Sequence, residues 1–268
     1  MKWNLDVPKI LHVYWSATPM YYLRYMTVVT FIKHNPDWKV MLWLPKYPYK
    51  VVTWETQELN YELKIETDYF PELLKLPIEI NYVDMEDLGM SNKMSESHKS
   101  DQLRYCMLYK YGGVYADMDI LFFKPITYLK ENIIENKEVI TYVCICHYGH
   151  STGLLMACAG SKFFEIMMKK RYFDPLVFQS IGPDAVNETF ATIKHIEKIS
   201  TVVNLSMKCV YAHDALHIPD IYNTKTPKFT KNSIGIHWYG GHPLTGEFLK
   251  NTDGGLKNLS DNIIGNLL

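Results

Sequence analysis

Two carboxylates, Asp117 and Asp119, stand two residues apart in the stretch Tyr111-Gly-Gly-Val-Tyr-Ala-Asp-Met-Asp119, whose other side chains are small, apolar or aromatic. If Val114 to Asp119 is extended, side chains alternate between faces, and Tyr115, Asp117 and Asp119 share one of them. Two acids about 6.6 Å apart along a strand repel by roughly 2.5 kcal/mol at an effective dielectric of about 20. Water offsets that repulsion when the acids sit in a solvated surface turn. A positive side chain or a metal ion offsets it equally, and hard carboxylate oxygens suit Mg²⁺ or Mn²⁺, which completes its shell with phosphate and water. An isolated D-x-D fits the solvated turn well enough, so the flanking sequence decides.

Upstream, Ser97 to Tyr111 reads as a helix: Ser95 or Ser97 can cap it, Leu103, Met107 and Tyr111 recur on one side, and Gly112-Gly113 supplies a left-handed stop. Asp101 and Arg104, three residues apart, are oppositely charged neighbours on that helix. Taken alone they make a local ion pair. Because the helix feeds directly into the acid-bearing strand, Asp101, Arg104, Tyr115, Asp117 and Asp119 can converge on one crevice at the carboxyl ends of the strands, where open α/β sheets bind ligands. A metal held there would act as Lewis acid and template beside a diphosphate.

The elements needed to position such a crevice are legible around it. Lys9 to Trp15 reads as a buried strand, Met20 to Lys33 as a helix ended by Asn35-Pro36-Asp37, and Lys39 to Leu44 as a second apolar strand. Runs apolar on both faces belong to parallel sheets covered by helices, so the fold class is α/β. Tyr47 to Leu76 is aromatic, charged and broken by prolines, an irregular or helical insertion. Further strands are expected at Ile78 to Asp84, Leu121 to Phe123, Val139 to Cys146 and Ile234 to Tyr239, and helices at Ser161 to Arg171 and Asp184 to Lys198. One domain over 1–268, with a short appendage from about Gly246, is the simplest organisation.

The bulk properties exclude several classes. At 268 residues, 47% hydrophobic and 21% charged, the chain is an ordinary globular one with a substantial core. A net charge of −1 with scattered basic residues leaves no footprint for nucleic acid or a polybasic membrane anchor. No apolar run reaches the roughly 20 residues of a membrane span, and the start lacks a signal-peptide core. Five cysteines in apolar segments read as reduced core thiols, which fits a cytosolic protein, and the sequons at Asn187, Asn204 and Asn258 then carry no meaning.

The segments Val7-Pro-Lys-Ile-Leu-His-Val-Tyr-Trp15, Asn35-Pro-Asp-Trp38 and above all Lys99 to Asp119, with its D-x-x-R-x₁₀-Y-x-D-x-D spacing from Asp101, resemble the D-x-D sugar-binding glycosyltransferases of family 32. Relatives of that family include initiating mannosyltransferases, α-1,4-N-acetylglucosaminyltransferases and, more distantly, glucosylating clostridial toxins. The resemblance covers roughly residues 7–126. It implies a GT-A, Rossmann-like fold with a mostly parallel sheet, a nucleotide diphosphate sugar donor, Mn²⁺ or Mg²⁺, and retention of anomeric configuration. By position, Trp15 would stack on the nucleobase beside Val13 and Tyr14, Asp101 and Arg104 would hold sugar hydroxyls and phosphate, and Tyr115 would line the nucleotide pocket. Asp117 would reach ribose, sugar or metal-bound water, and Asp119 would ligate the metal. The family's carboxyl-terminal H-h-W-x-x-S-W-like segment is matched in part by Ile236-His-Trp-Tyr-Gly-Gly-His242, making His237 the first choice and His242 the second for a further metal contact. His147, His150 and Ser151 are candidates for facing the acceptor, with Gly182-Pro183-Asp184 at its border.

The reading is therefore a retaining, metal-dependent hexosyltransferase of a bacterial or viral cytosol, acting from a UDP-sugar in preference to a GDP-sugar on a glycan hydroxyl. Two alternatives stand beside it. A nucleotide-sugar pyrophosphorylase or phosphohydrolase would also want paired acids, although Ser16-Ala-Thr-Pro-Met20 is not a Gly-rich phosphate loop. A non-catalytic glycan or nucleotide binding protein on the same scaffold is the other.

Overall fold

A computed structural model describes residues 7–16, 19–47, 67–132, 141–146, 149–169, 174, 176–177, 179–192, 202–255 and 262–268. The chain begins β1 (Ile10–Tyr14), α1 (Tyr22–His34), β2 (Lys39–Pro45), α2 (Phe70–Leu73), β3 (Glu79–Val83), α3 (Glu96–Tyr111) and β4 (Gly113–Ala116). It continues with β5 (Ile120–Phe122), β6 (Thr141–Cys146), β7 (Gly149–Ala157), α4 (Lys162–Lys169), α5 (Pro183–Thr192) and β8 (Val202–Leu205). The last elements are α6 (Ile218–Asn223), β9 (Gly235–His237), α7 (Pro243–Asn251) and α8 (Ile263–Leu267). Of the expected elements, Val139, Ile140, Lys170, Arg171, residues 193–198 and residues 48–66 of the insertion lie outside the described residues.

Seven strands form one sheet in the order β3-β2-β1-β4-β7-β6-β8, and β5 and β9 form a second, two-stranded sheet. Pairings β1 to β2, β2 to β3, β1 to β4 and β6 to β8 are parallel, while β7 runs antiparallel to both its neighbours. The fold is thus α/β with a mostly parallel sheet, as the doubly apolar strands predict. The physical cause is visible in β1: Leu11 and Val13 enter a core shared with Val28 and Phe31 of α1, while Tyr14 enters the opposite core shared with Leu103 and Met107 of α3. A third cluster joins Leu121 and Ile236 of the small sheet to Trp238, Phe248, Leu249, Ile263 and Ile264.

The chain order switches at β1, because β2 and β3 are added on one side and β4 on the other. This opens a crevice at the carboxyl ends of β1 and β4. Two devices fix that junction. His12 is fully buried; Trp43 Nε1 donates to its Nδ1 (3.1 Å), leaving Nε2–H to donate to the Gly112 carbonyl (2.9 Å), and burial drops its pKa to about 4. The helix stop is equally tight. Gly113 has φ +99°, and a Cβ there would lie 2.5 Å from the Ile10 carbonyl oxygen, a backbone atom that cannot yield. Gly113→Ala should therefore lower unfolding free energy by at least about 2 kcal/mol in urea titration; a loss below roughly 0.5 kcal/mol would contradict the tight packing of β4 on β1.

One expectation needs correction. The acid-bearing strand stops at Ala116, so Asp117 and Asp119 do not alternate along one strand face. Asp117 N–H still reaches the Gly153 carbonyl (2.9 Å), but the main chain then turns because the Asp119 carbonyl accepts from Trp238 N–H (2.9 Å) and the next residues pair with β9. The structure also adds β7, a strand the sequence hides. Its first half, Gly149-His-Ser-Thr-Gly153, is polar and glycine-rich, and it supplies much of the crevice wall.

Candidate functional site

The helix stop and the small sheet together assemble the site. Helix α3 starts at Ser95, whose hydroxyl accepts from His98 N–H (3.3 Å), which fixes the turn carrying Ser100, Asp101 and Arg104. Arg104 is 3% exposed, and each of its guanidinium nitrogens has a partner. It donates to the Thr152 carbonyl (2.6 Å), the Ser100 carbonyl (3.2 Å) and the Ser100 hydroxyl (2.8 Å), and pairs with Asp101 (2.9 Å) and Asp117 (3.2 Å). Its face covers the Tyr115 ring at 4.5 Å, and the Tyr115 hydroxyl meets Ser100 Oγ at 2.6 Å. Asp101 also faces Thr152 Oγ1 (3.5 Å) and the Gly182 Cα, where a Cβ would lie 2.6 Å from its carboxylate. Burial, reinforced by Asp117, pushes the Asp101 carboxyl up to about 6 despite Arg104.

That shift has a definite sign. Folded Asp101 holds its proton between pH 4 and 6 where the unfolded chain has released it, so its contribution to stability is present below pH 4 and lost as pH rises through 6. Wild type should lose about 1–3 kcal/mol relative to Asp101→Asn over that interval in pH-dependent urea unfolding. A difference that stays flat with pH would refute the buried, charge-flanked position of this carboxyl.

Asp119 sits on the other side of the turn. Register Ile120↔His237 in the small sheet sets residue 119 beside the end of β9. Its Oδ2 accepts from Gly240 N–H (2.9 Å), with Arg24 Nη1 at 3.9 Å. Its Oδ1 lies 3.0 Å from His237 Nε2 but off the line of a hydrogen bond, so this buried oxygen has no hydrogen-bond partner. Burial alone would raise the Asp119 carboxyl; His237, Arg24 and the Gly240 N–H outweigh it and hold the group well below the usual carboxylate range. His237 is in turn clamped by the Tyr211 ring (4.8 Å), the edge of Tyr239 (4.5 Å) and the Tyr239 N–H on Nδ1 (3.3 Å).

One ligand atom each from Asp117, Asp119 and His237 lies within 4.8 Å of the others. Oxygen, oxygen and imidazole donors, one oxygen being buried and orphaned, fit a divalent cation that keeps open positions for phosphate or water. The other expected residues divide. Trp15 lies at the crevice edge against Arg24 (5.6 Å). Val13 is buried in the core, and the Tyr14 hydroxyl donates to Glu96. His242 caps α7 by accepting from Leu244 N–H (3.3 Å) and is outside the acid–histidine group. His150 stacks on Phe190 (3.9 Å) between Asn187 and Asn204, Ser151 meets the Tyr211 hydroxyl, and Pro183-Asp184 open α5. His147 lies outside the described residues.

Sequence reasoning missed Arg24, Thr152, Gly153, Tyr211 and Gly240. A Cβ on Gly153 would strike the Tyr211 hydroxyl and lie 3.0 Å from Asp117 Oδ2, so only glycine lets this wall approach. Arg24 carried a signal: it is the lone cation on the buried face of α1, beside Thr27, Val28 and Phe31.

Fold and site define an α/β protein whose switch-point crevice holds an arginine-braced acidic cluster with one imidazole. Residues 24–140 match the family model of the glycosyltransferase sugar-binding region containing DXD motif. No curated protein sequence matches it. Among solved structures, galactosyltransferase LgtC with donor and acceptor sugar analogues is 12% identical over 93% of this chain and 96% of that one, TM-score 0.48. The PaToxG glycosyltransferase is 14% identical over 72% and 71%, TM-score 0.47, and the ligand-free glycosyltransferase domain from the YGT toxin 12% over 75% and 80%, TM-score 0.47. Among the described residues, no helix is long and apolar enough to cross a membrane.

Proposed function

We propose that this chain transfers a hexose from a nucleoside diphosphate sugar, UDP in preference to GDP, to a glycan hydroxyl with retention of configuration, as a cytoplasmic enzyme. The observation that carries the reading is the orphaned Asp119 Oδ1 grouped with Asp117 and His237. Asp117, Asp119 and His237 would hold Mn²⁺ or Mg²⁺, which when bound supplies Lewis-acid stabilisation of the departing diphosphate. The toxin-like D-x-x-R-x₁₀-Y-x-D-x-D spacing supports UDP.

The chain's own residues do the positioning. Arg104, already bound to Asp101 and Asp117, brings fixed positive charge to the donor without reorganising when the bond breaks. Asp101, at the wall formed with Thr152 and Gly182, would accept hydrogen bonds from sugar hydroxyls. Its ion pair with Arg104 makes it a poor nucleophile, which favours attack from the leaving-group face. There the anomeric carbon–phosphate oxygen bond breaks, the acceptor oxygen bonds to that carbon, and the acceptor proton passes to the departing phosphate.

The test is incubation with UDP- and GDP-sugars, Mn²⁺ and glycan acceptors. Release of nucleoside diphosphate with a glycosylated product supports transfer. Nucleoside monophosphate would mean a phosphohydrolase or pyrophosphorylase, and thermal stabilisation without turnover a binding protein.

A further inference from the structure

Each acid of the D-x-D pair carries its own arginine. Arg104 stands on Asp117 at 3.2 Å, and Arg24 faces Asp119 at 3.9 Å from a different helix. Counting Asp101, Asp117 and Asp119 against Arg24 and Arg104, these five side chains keep a single net negative charge. That is little for a divalent cation, which in such sites relies on substrate phosphates to complete its shell.

Arg24 is built in rather than incidental. It is 7% exposed, and its guanidinium lies 4.8 Å from the Trp238 ring centroid and 5.6 Å from those of Tyr21 and Trp15. Its Nε donates to the Tyr21 hydroxyl (2.9 Å), and the chain crosses over it at Gly240, where any side chain would collide with the guanidinium. The same Gly240 gives its N–H to Asp119 Oδ2. A planar, delocalised cation within reach of two indole rings suits this slot.

Resting on the donor-site reading above, we infer that Arg24 is a positioning residue that holds Asp119 and partly neutralises it, so that the acidic pair grips a divalent cation well only together with the diphosphate. Cation and donor then load as one unit. The free enzyme does not accumulate a tightly held ion that would have to be displaced when product leaves.

Mn²⁺ binding to the full chain, followed by electron paramagnetic resonance of the free ion with and without UDP or GDP, tests this. In wild type the nucleotide should tighten Mn²⁺ binding about tenfold or more. Arg24→Met and Arg24→Gln, both uncharged, should bind Mn²⁺ alone about fivefold or more tighter than wild type, with a reduced nucleotide effect. Arg24→Lys, which keeps the charge, should resemble wild type toward Mn²⁺ alone. A merely structural Arg24 would weaken Mn²⁺ binding when replaced, so a folded Arg24→Met or Arg24→Gln that binds the ion no tighter than wild type overturns the inference. Gln serves if Met does not fold. Failure of wild type to bind Mn²⁺ with either nucleotide overturns the donor-site reading and the inference with it, an outcome separate from the first.

Discussion

Replacing Asp119 by Asn should reduce sugar transfer by about 10³-fold or more while leaving the protein folded. The substitution keeps size and one acceptor oxygen, so Gly240 N–H retains a partner. What is lost is the charge that His237 and Arg24 face, and with it the only buried carboxylate oxygen of the described site without a hydrogen bond. Unfolding free energy should fall by only about 1–3 kcal/mol, the cost of leaving buried donors less well matched. Because Asp119 stays ionised far below neutrality, the activity of wild type should show no titration of this group at any pH where the chain is folded. Turnover within tenfold of wild type, measured as nucleoside diphosphate release at saturating Mn²⁺, would remove the basis for the proposed function.

Arg104 should be the most costly side chain of the crevice to replace, for fold and chemistry together. Arg104→Met leaves buried Asp101 and part-exposed Asp117 facing each other without a cation, and breaking the buried Asp101 pair costs up to about 3–5 kcal/mol. Arg104→Lys keeps the charge but cannot span Thr152, Ser100 and both acids from one planar group. It should remain folded and lose about 10²-fold in kcat/KM, the usual cost of misplacing reacting groups by an ångström. Equal kcat/KM for Lys and Arg would show that charge alone matters there. Thermal unfolding of both variants separates the two effects.

What the sequence revealed and what it hid follow from the range of the interactions. Helix α3 was legible because its cap at Ser95, its apolar period and its glycine stop are all local. Strands β1 and β2 were legible because burial on both faces leaves an unbroken apolar run. The spacing from Asp101 to Asp119 marked the crevice for the same reason: one helix and one turn carry it. The end of β4 at Ala116 was not legible, since the turn there is imposed by Trp238 and Gly240. Tyr211 matters only because Gly153 of β7 passes beside it, and β7 opens with residues that give no strand signal. The segment from about Gly246 reads as an appendage, yet Phe248 and Leu249 pack with Trp238 and Leu121 and brace the small sheet from behind.

The two-stranded sheet has a further bearing, on biogenesis. Its pairing of Ile120 with His237 joins positions 237 − 120 = 117 residues apart, a contact of high sequence separation that is slow to form. On the ribosome the aspartates emerge long before the imidazole. Assembly of the acid–histidine group would then wait on the arrival of β9.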